Sequence, residues 1–284
     1  MNDHILPIII AFVAYSCVDV GKAMQKYGLT IRSQRPKIGA LVWIIGTAGT
    51  SVSSLLVLWA VSIGSVVVVG SMAGTGLVAA TFFAVLILHE SLRPRDIIAI
   101  GLVLIGPFAL GSISMPAIAT QIAVERLGLF AAVLAIAYSI ALKVAPRLVP
   151  IHGILVASAA GVVSGFVVMF QKLASSEMTR PLSWLSIHIQ LPWLDTLIHL
   201  FMNPFAVTWI VLSIFSTIVL QLSYESANTV RIIPAFNSSS ILTVILGGVV
   251  VFGERLHILQ WLGVVTILSG VALLTLSRDS SETV

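Results

Sequence analysis

Asp19 stands inside the apolar run from Ile5 to Gln25, with Lys22 one helical turn later and Lys26 two turns later, so all three fall on one face of a helix. Holding a charge in hydrocarbon costs about 2.5 kcal/mol or more, which makes an ionisable residue at that depth a candidate for binding a substrate, a cation or a proton. The structural alternative is an ion pair that holds this span against a neighbour. Counting ~1.5 Å per residue back from Tyr27 puts Asp19 ~12 Å below the end of the span, whereas Lys22 and Lys26 have stems long enough to reach the interface.

A second polar group lies far along the chain. Pro234 removes a backbone donor, which predicts a helix break, and Asn237, Ser238, Ser239 and Ser240 follow it at mid-span. Broken helices at the membrane midplane are where carriers bind substrate. Amide and hydroxyl oxygens with one carboxylate suit a partly hydrated magnesium ion, and they suit a polar metabolite equally well. Serines in spans also bond to their own helix or to neighbours. Gln221, Tyr224, Glu225 and Arg231 gather around the preceding turn. There Glu225 and Arg231 read as an interfacial ion pair, and Gln221 and Tyr224 as cavity residues. Glu90 and Glu254 each precede another span, where a carboxylate satisfies free N–H groups of the following helix; a gate is the alternative role for them, as for Lys22. Gly70, Gly74, Gly76, Gly161 and Gly165 read as close-packing positions. His89, His152 and His257 fall at span ends without ligand spacing, so no metal site is assigned.

These residues sit in a chain of 284, of which 58% are hydrophobic and 9% charged, with a mean hydropathy of +1.09. That composition predicts an all-α integral membrane protein with the lipid bilayer as its partner. Spans are expected at 5–26, 38–61, 65–88, 96–112, 127–145, 152–171, 204–224, 230–252 and 257–277, with 181–203 as an interfacial stretch or a tenth span. No cleavable leader is expected, because Met1 to His4 lack positive charge. With nine spans and the amino terminus outside, 11 of 15 basic residues fall on the cytoplasmic side, which favours a cell (inner) membrane protein with a cytoplasmic carboxyl terminus. The basic residues lie in loops rather than in a patch, so nucleic acid is not an expected partner. Cys17 is the chain's single cysteine and excludes a disulfide framework.

Residues 60–110 align without gaps on 224–274 at an offset of 164, pairing Ser62 with Ser226, Val66 with Val230, Glu90 with Glu254, Leu92 with Leu256 and Gly106 with Gly270. Gln25-Lys26 and Gln171-Lys172 repeat at an offset of 146. The plan is a first four-helix repeat over 1–112, a connector helix over 113–150 and a second repeat over 151–284. The odd connector inverts the second copy relative to the first.

The turns His89-Glu90-Ser91-Leu92 and Gly253-Glu254-Arg255-Leu256 resemble those of the drug/metabolite (EamA-like) transporter superfamily. Gln25-Lys26-Tyr27-Gly28-Leu29, Gln221-Leu222-Ser223-Tyr224 and Asn228-Thr229 with Pro234 look most like NIPA-type magnesium transporters, and the first half resembles small multidrug resistance proteins. The resemblance implies a gradient-driven carrier, of magnesium or another divalent cation, with a proton-coupled exporter of small organic cations or metabolites as the alternative. A non-transporting scaffold or receptor is the reading of another class. A homodimer is compatible with the same resemblance. A phosphate-binding Gly-x-x-x-x-Gly-Lys-Ser/Thr loop is not found, so no nucleotide cofactor is expected, and no nucleophile and base stand together to suggest an enzyme. Asp19, Gln221, Tyr224, Asn237 and Ser238 to Ser240 are the expected lining of a cavity between the repeats.

Overall fold

The computed structural model describes residues 5–87, 94–111, 124–144, 149–178, 202–223 and 229–279. The regular elements among them are helices: α1 (Ile5–Ile31), α2 (Pro36–Ile63), α3 (Val66–Ser71), α4 (Ala73–Ile87), α5 (Pro94–Gly111), α6 (Val124–Val144), α7 (Val149–Met178), α8 (Pro204–Ser223), α9 (Thr229–Val250) and α10 (Ile258–Asp279). Glu90, Tyr224 and Glu225 fall outside the described residues, as does nearly all of 181–203, and of Arg231 and Pro234 only the backbone is described.

Local chemistry accounts for several helix starts. Pro36 and Pro204 open α2 and α8 at the first position, where a missing N–H costs nothing. The Asn203 carboxamide oxygen accepts from the amides of Phe205 and Ala206 at 2.9 and 3.3 Å and so caps α8. The span expected at 65–88 is two helices. Met72 separates α3 from α4, and the short bonds from Met72 N to Val69 O and from Thr75 N to Met72 O tighten the chain there. The break expected at Pro234 is not seen, since α9 continues through that position as one helical run.

Among the described residues four helices have both the length and the hydropathy of a membrane crossing, over Ile5–Leu29, Pro36–Ile63, Gly153–Ser175 and Pro204–Ser223. Shorter apolar stretches occupy Val66–Ala79, Ile97–Gly106, Arg126–Ile140, Ala235–Val250 and Ile258–Gly270. The outer surface is hydrocarbon. On α6, Leu129, Val133, Ile136 and Ile140 form an exposed stripe at helical spacing, a face that lipid covers without loss. Cys17 is exposed and shares an outward face of α1 with Ile9 and Val13.

Small residues let the helices meet at their backbones. α1 and α2 run antiparallel with two reciprocal glycine pairs. A methyl on Gly46 would lie 2.6 Å from the Gly21 oxygen, and one on Gly39 2.6 Å from the Gly28 oxygen. α5 and α10 are also antiparallel, with Gly106 against the Gly263 carbonyl and Gly270 against the Ala99 carbonyl. α7 packs on α8 and α9 much as α1 packs on α2 and α4, and α9 also covers α3. α6 lies at the edge and touches α7 and α9, through the rings of Phe130 and Phe166 and through Tyr138, whose hydroxyl pairs with Ser158 at 2.8 Å.

Candidate functional site

α1, α2, α7 and α8 surround a cavity of about 850 Å³, with Phe236 of α9 also on its wall. Tyr15, Val57, Val167 and Val168 make much of its deep lining apolar. Polar side chains then enter from all four of these helices.

From α1 comes Lys22. Its ammonium donates to Asp19 Oδ1 at 2.8 Å and lies 4.2 Å from the centre of the Phe236 ring. Asp19 itself is 2% exposed and does not line the cavity. Its other oxygen accepts from Asn237 Nδ2 at 2.8 Å, and Gly76 of α4 leaves the space that the carboxylate occupies. The buried carboxylate is thus paired on both sides, as burial demands, and the group it presents to the cavity is the lysine rather than the acid.

From α2 comes a row of hydroxyls, Thr47, Thr50, Ser51 and Ser54, at the i, i+3, i+4, i+7 spacing of one helical face. Thr47 donates to Trp43 O, and Thr50 and Ser51 donate to Thr47 O, so these three spend their protons on their own helix and turn lone pairs outward. Gln25 Nε2 donates to Thr50 Oγ1 at 3.3 Å, and Gln171 Nε2 of α7 donates to Ser54 Oγ at 3.1 Å and to Ser54 O at 3.0 Å. The two glutamines, 146 residues apart, therefore grip α2 one turn from each other. Gln171 Oε1 and Trp43 Nε1 are buried and have no hydrogen-bond partner among the described residues. On α8, Ser213 and Thr217 bond backwards along their helix and Ser216 bonds to Ala160 O of α7.

One turn beyond Val57, two charged side chains of the second half hold the α2–α3 turn of the first. Lys172 Nζ donates to the carbonyls of Val61 and Gly64 at 2.6 and 2.9 Å, at the C-terminal end of α2. Glu254 accepts from Val66 N at 2.8 Å and Val67 N at 3.0 Å, and from the Ser65 hydroxyl at 2.7 Å, while Ser65 Oγ takes the Val68 amide. Cation at a helix C-terminus and carboxylate at a helix N-terminus is the favourable sense for both dipoles. Gly253, with φ 64°, supplies the left-handed bend that aims Glu254 there.

Residues 5–112 match the EamA-like transporter family. No curated protein and no solved structure matches the chain. The EamA-like segment covers α1 to α5 and so contributes Asp19, Lys22, Gln25 and the hydroxyl row of α2. Over those residues the chain is similar to membrane transporters of the drug/metabolite superfamily, and the match goes no finer.

Several expected residues stand elsewhere than the sequence suggested. Gln221 lines the cavity. Asn237 and Ser240 are buried in helix contacts, at 2% and 4% exposure, and Ser239 Oγ bonds to Ser158 Oγ of α7. Ser238, Ser239 and Ser240 are thus not among the lining residues. Glu254 caps a helix, as a carboxylate before a span was expected to, but that helix is α3 in the other half rather than the following α10. Lys172 belongs to a helix contact rather than a loop. The residues that sequence reasoning missed are Trp43, Gln171 and the α2 hydroxyls. The spacing of 47, 50, 51 and 54 on an otherwise apolar helix was the available signal. Among the described residues no three His, Cys, Asp or Glu side chains group as metal ligands.

Proposed function

We propose that the chain is a gradient-driven carrier of small organic solutes that works by alternating access. The observation that carries this reading is the polar-lined cavity ending at a charge-clamped turn. Its lining runs from Leu29, Trp43 and Leu222, by the α1–α2 turn and the end of α8, to Val57, one turn short of Val61 where Lys172 holds the chain. The clamp of Lys172 and Glu254 on the α2–α3 turn then acts as the closed gate, and solute leaves on the far side only when that clamp opens.

The inverted-repeat plan over 1–112 and 151–284 draws support from the antiparallel course of α5 and α10. Gly106 meets Gly263 as Gly270 meets Ala99, and both pairs map onto each other at the same offset of 164. The antiparallel approach of α3 and α9, through Gly70 with Val244 and Gly248 with Val67, adds to it. Nine crossings with an outside amino terminus in the cell (inner) membrane complete the reading.

An organic solute fits this wall better than magnesium does. Magnesium is held by carboxylates and retained waters. Here Asp19 gives both oxygens to Lys22 and Asn237, and an ammonium stands between it and the cavity. Purified protein in vesicles, given an imposed proton gradient, should export some members of a loaded mixture of small organic acids, bases and zwitterions, read by mass spectrometry, while a magnesium-sensitive dye inside parallel vesicles stays silent. Magnesium entry without organic flux would replace the proposal with the cation reading.

A further inference from the structure

The wall of the cavity carries an unequal set of charges, and that imbalance selects a ligand. Lys22 uses its ammonium once, toward Asp19 Oδ1, and its side chain keeps 14% exposure, so further N–H donors remain for the cavity. Asp19 is sealed behind it at 2% exposure. Trp43 lines the same wall, and the glycine pairs 21–46 and 28–39 set it beside the stretch of α1 that holds Lys22 and Gln25. Near the ammonium the lining is largely aromatic and aliphatic, from Phe236, Tyr15, Val167 and Val168, with the α2 hydroxyls alongside. A mostly apolar wall with one ammonium facing it suits a molecule that is mostly apolar and ends in an acceptor-rich anion.

Resting on the carrier reading above, we propose that the cavity binds small amphipathic organic anions, the ligand carboxylate meeting the Lys22 ammonium while its apolar body lies along Phe236 and the valines of α7. An organic ammonium of the same shape meets like charge at Lys22 before it can approach Asp19. A neutral alcohol gains only the apolar contact.

The test compares radiolabelled 4-phenylbutyrate with 4-phenylbutylamine, which share one body and differ in head charge, by equilibrium binding to the full chain in lipid nanodiscs, with empty nanodiscs subtracted. Saturable binding of phenylbutyrate, about tenfold or more tighter than the amine, is expected. Asp19→Asn/Lys22→Gln removes the pair together and leaves no buried lone charge, so its unfolding temperature should stay near wild type while phenylbutyrate affinity falls by about tenfold. Lys22→Arg should keep the preference for the anion. Equal or tighter binding of the amine, or unchanged phenylbutyrate affinity in the folded double variant, overturns the anion assignment and leaves the carrier reading standing. Failure of both probes to bind also overturns the anion assignment, and the carrier reading then stands or falls on the vesicle flux alone.

Discussion

Asn237 donates a hydrogen bond to the Asp19 carboxylate at 2.8 Å, tying α9 to α1 across 218 positions of sequence. Two polar residues from opposite halves thereby satisfy each other inside an apolar bundle. Asn237→Leu removes the donor and leaves one buried carboxylate oxygen unmet, a loss of about 1–3 kcal/mol. Thermal unfolding in detergent should drop accordingly. In a double-mutant cycle with Asp19→Asn the two losses should fall short of adding, because both act on one contact.

The clamp at Glu254 makes a separate prediction. Glu254→Ala frees the Val66 and Val67 amides of a six-residue helix and should cost about 0.5–2 kcal/mol, as lost caps do. If the clamp is the gate, the same substitution shifts the population toward opening at that end. Labelling of a cysteine placed at Val61 by a membrane-impermeant maleimide should then speed up about tenfold for each 1.4 kcal/mol lost by the closed state. Unchanged labelling in a destabilised protein would reduce Glu254 to a purely architectural cap.

Gly106 and Gly270 should respond alike. Each would place a new methyl 2.8 Å from a carbonyl of the facing helix, Gly263 in one case and Ala99 in the other. Alanine at either position forces the same seam apart, at about 1–3 kcal/mol. Gly101→Ala, on the same helix with open space around it, should be neutral or stabilising by up to about 1 kcal/mol. Melting curves of the three single variants suffice, and unlike effects at Gly106 and Gly270 would contradict the symmetry of the seam.

Ser54 is the most connected hydroxyl of the α2 row, since its oxygen accepts from Gln171 Nε2 and, at 3.3 Å, from Trp209 Nε1. Ser54→Ala should cost about 1–3 kcal/mol by leaving two buried donors with less to bond. Ser51→Ala, whose hydroxyl bonds only to Thr47 O of its own helix, should change stability by no more than about 0.5 kcal/mol. Denaturation of the pair side by side separates a bridging hydroxyl from a self-satisfied one.

Element positions were the most legible part of this chain. Apolar length alone puts spans at 96–112, 127–145 and 204–224, against helices at Pro94–Gly111, Val124–Val144 and Pro204–Ser223. Lipid imposes that regularity, because each backbone amide must bond within its own segment. The division at Met72 was not legible, since Val66 to Ile87 reads as one apolar run and the tightened turn is set by helices packing on it. Partnerships across the halves were hidden as well. The spacing of Asp19 and Lys22 suggested their pair, yet nothing local joins Asp19 to Asn237 or Glu254 to Val66. The burial of Asp19 was legible in its depth along the span, and its orientation was not, because which of two adjacent charges faces water depends on where α4 and α9 close over them.

Cys17, turned outward between Ile9 and Val13, carries a practical implication for work on the protein. A sulfur that faces acyl chains meets few water-borne reagents, because those reagents stay in water. The native chain is therefore its own silent background for site-directed labelling, and reporter thiols can be introduced one at a time along the cavity without first building a cysteine-free parent.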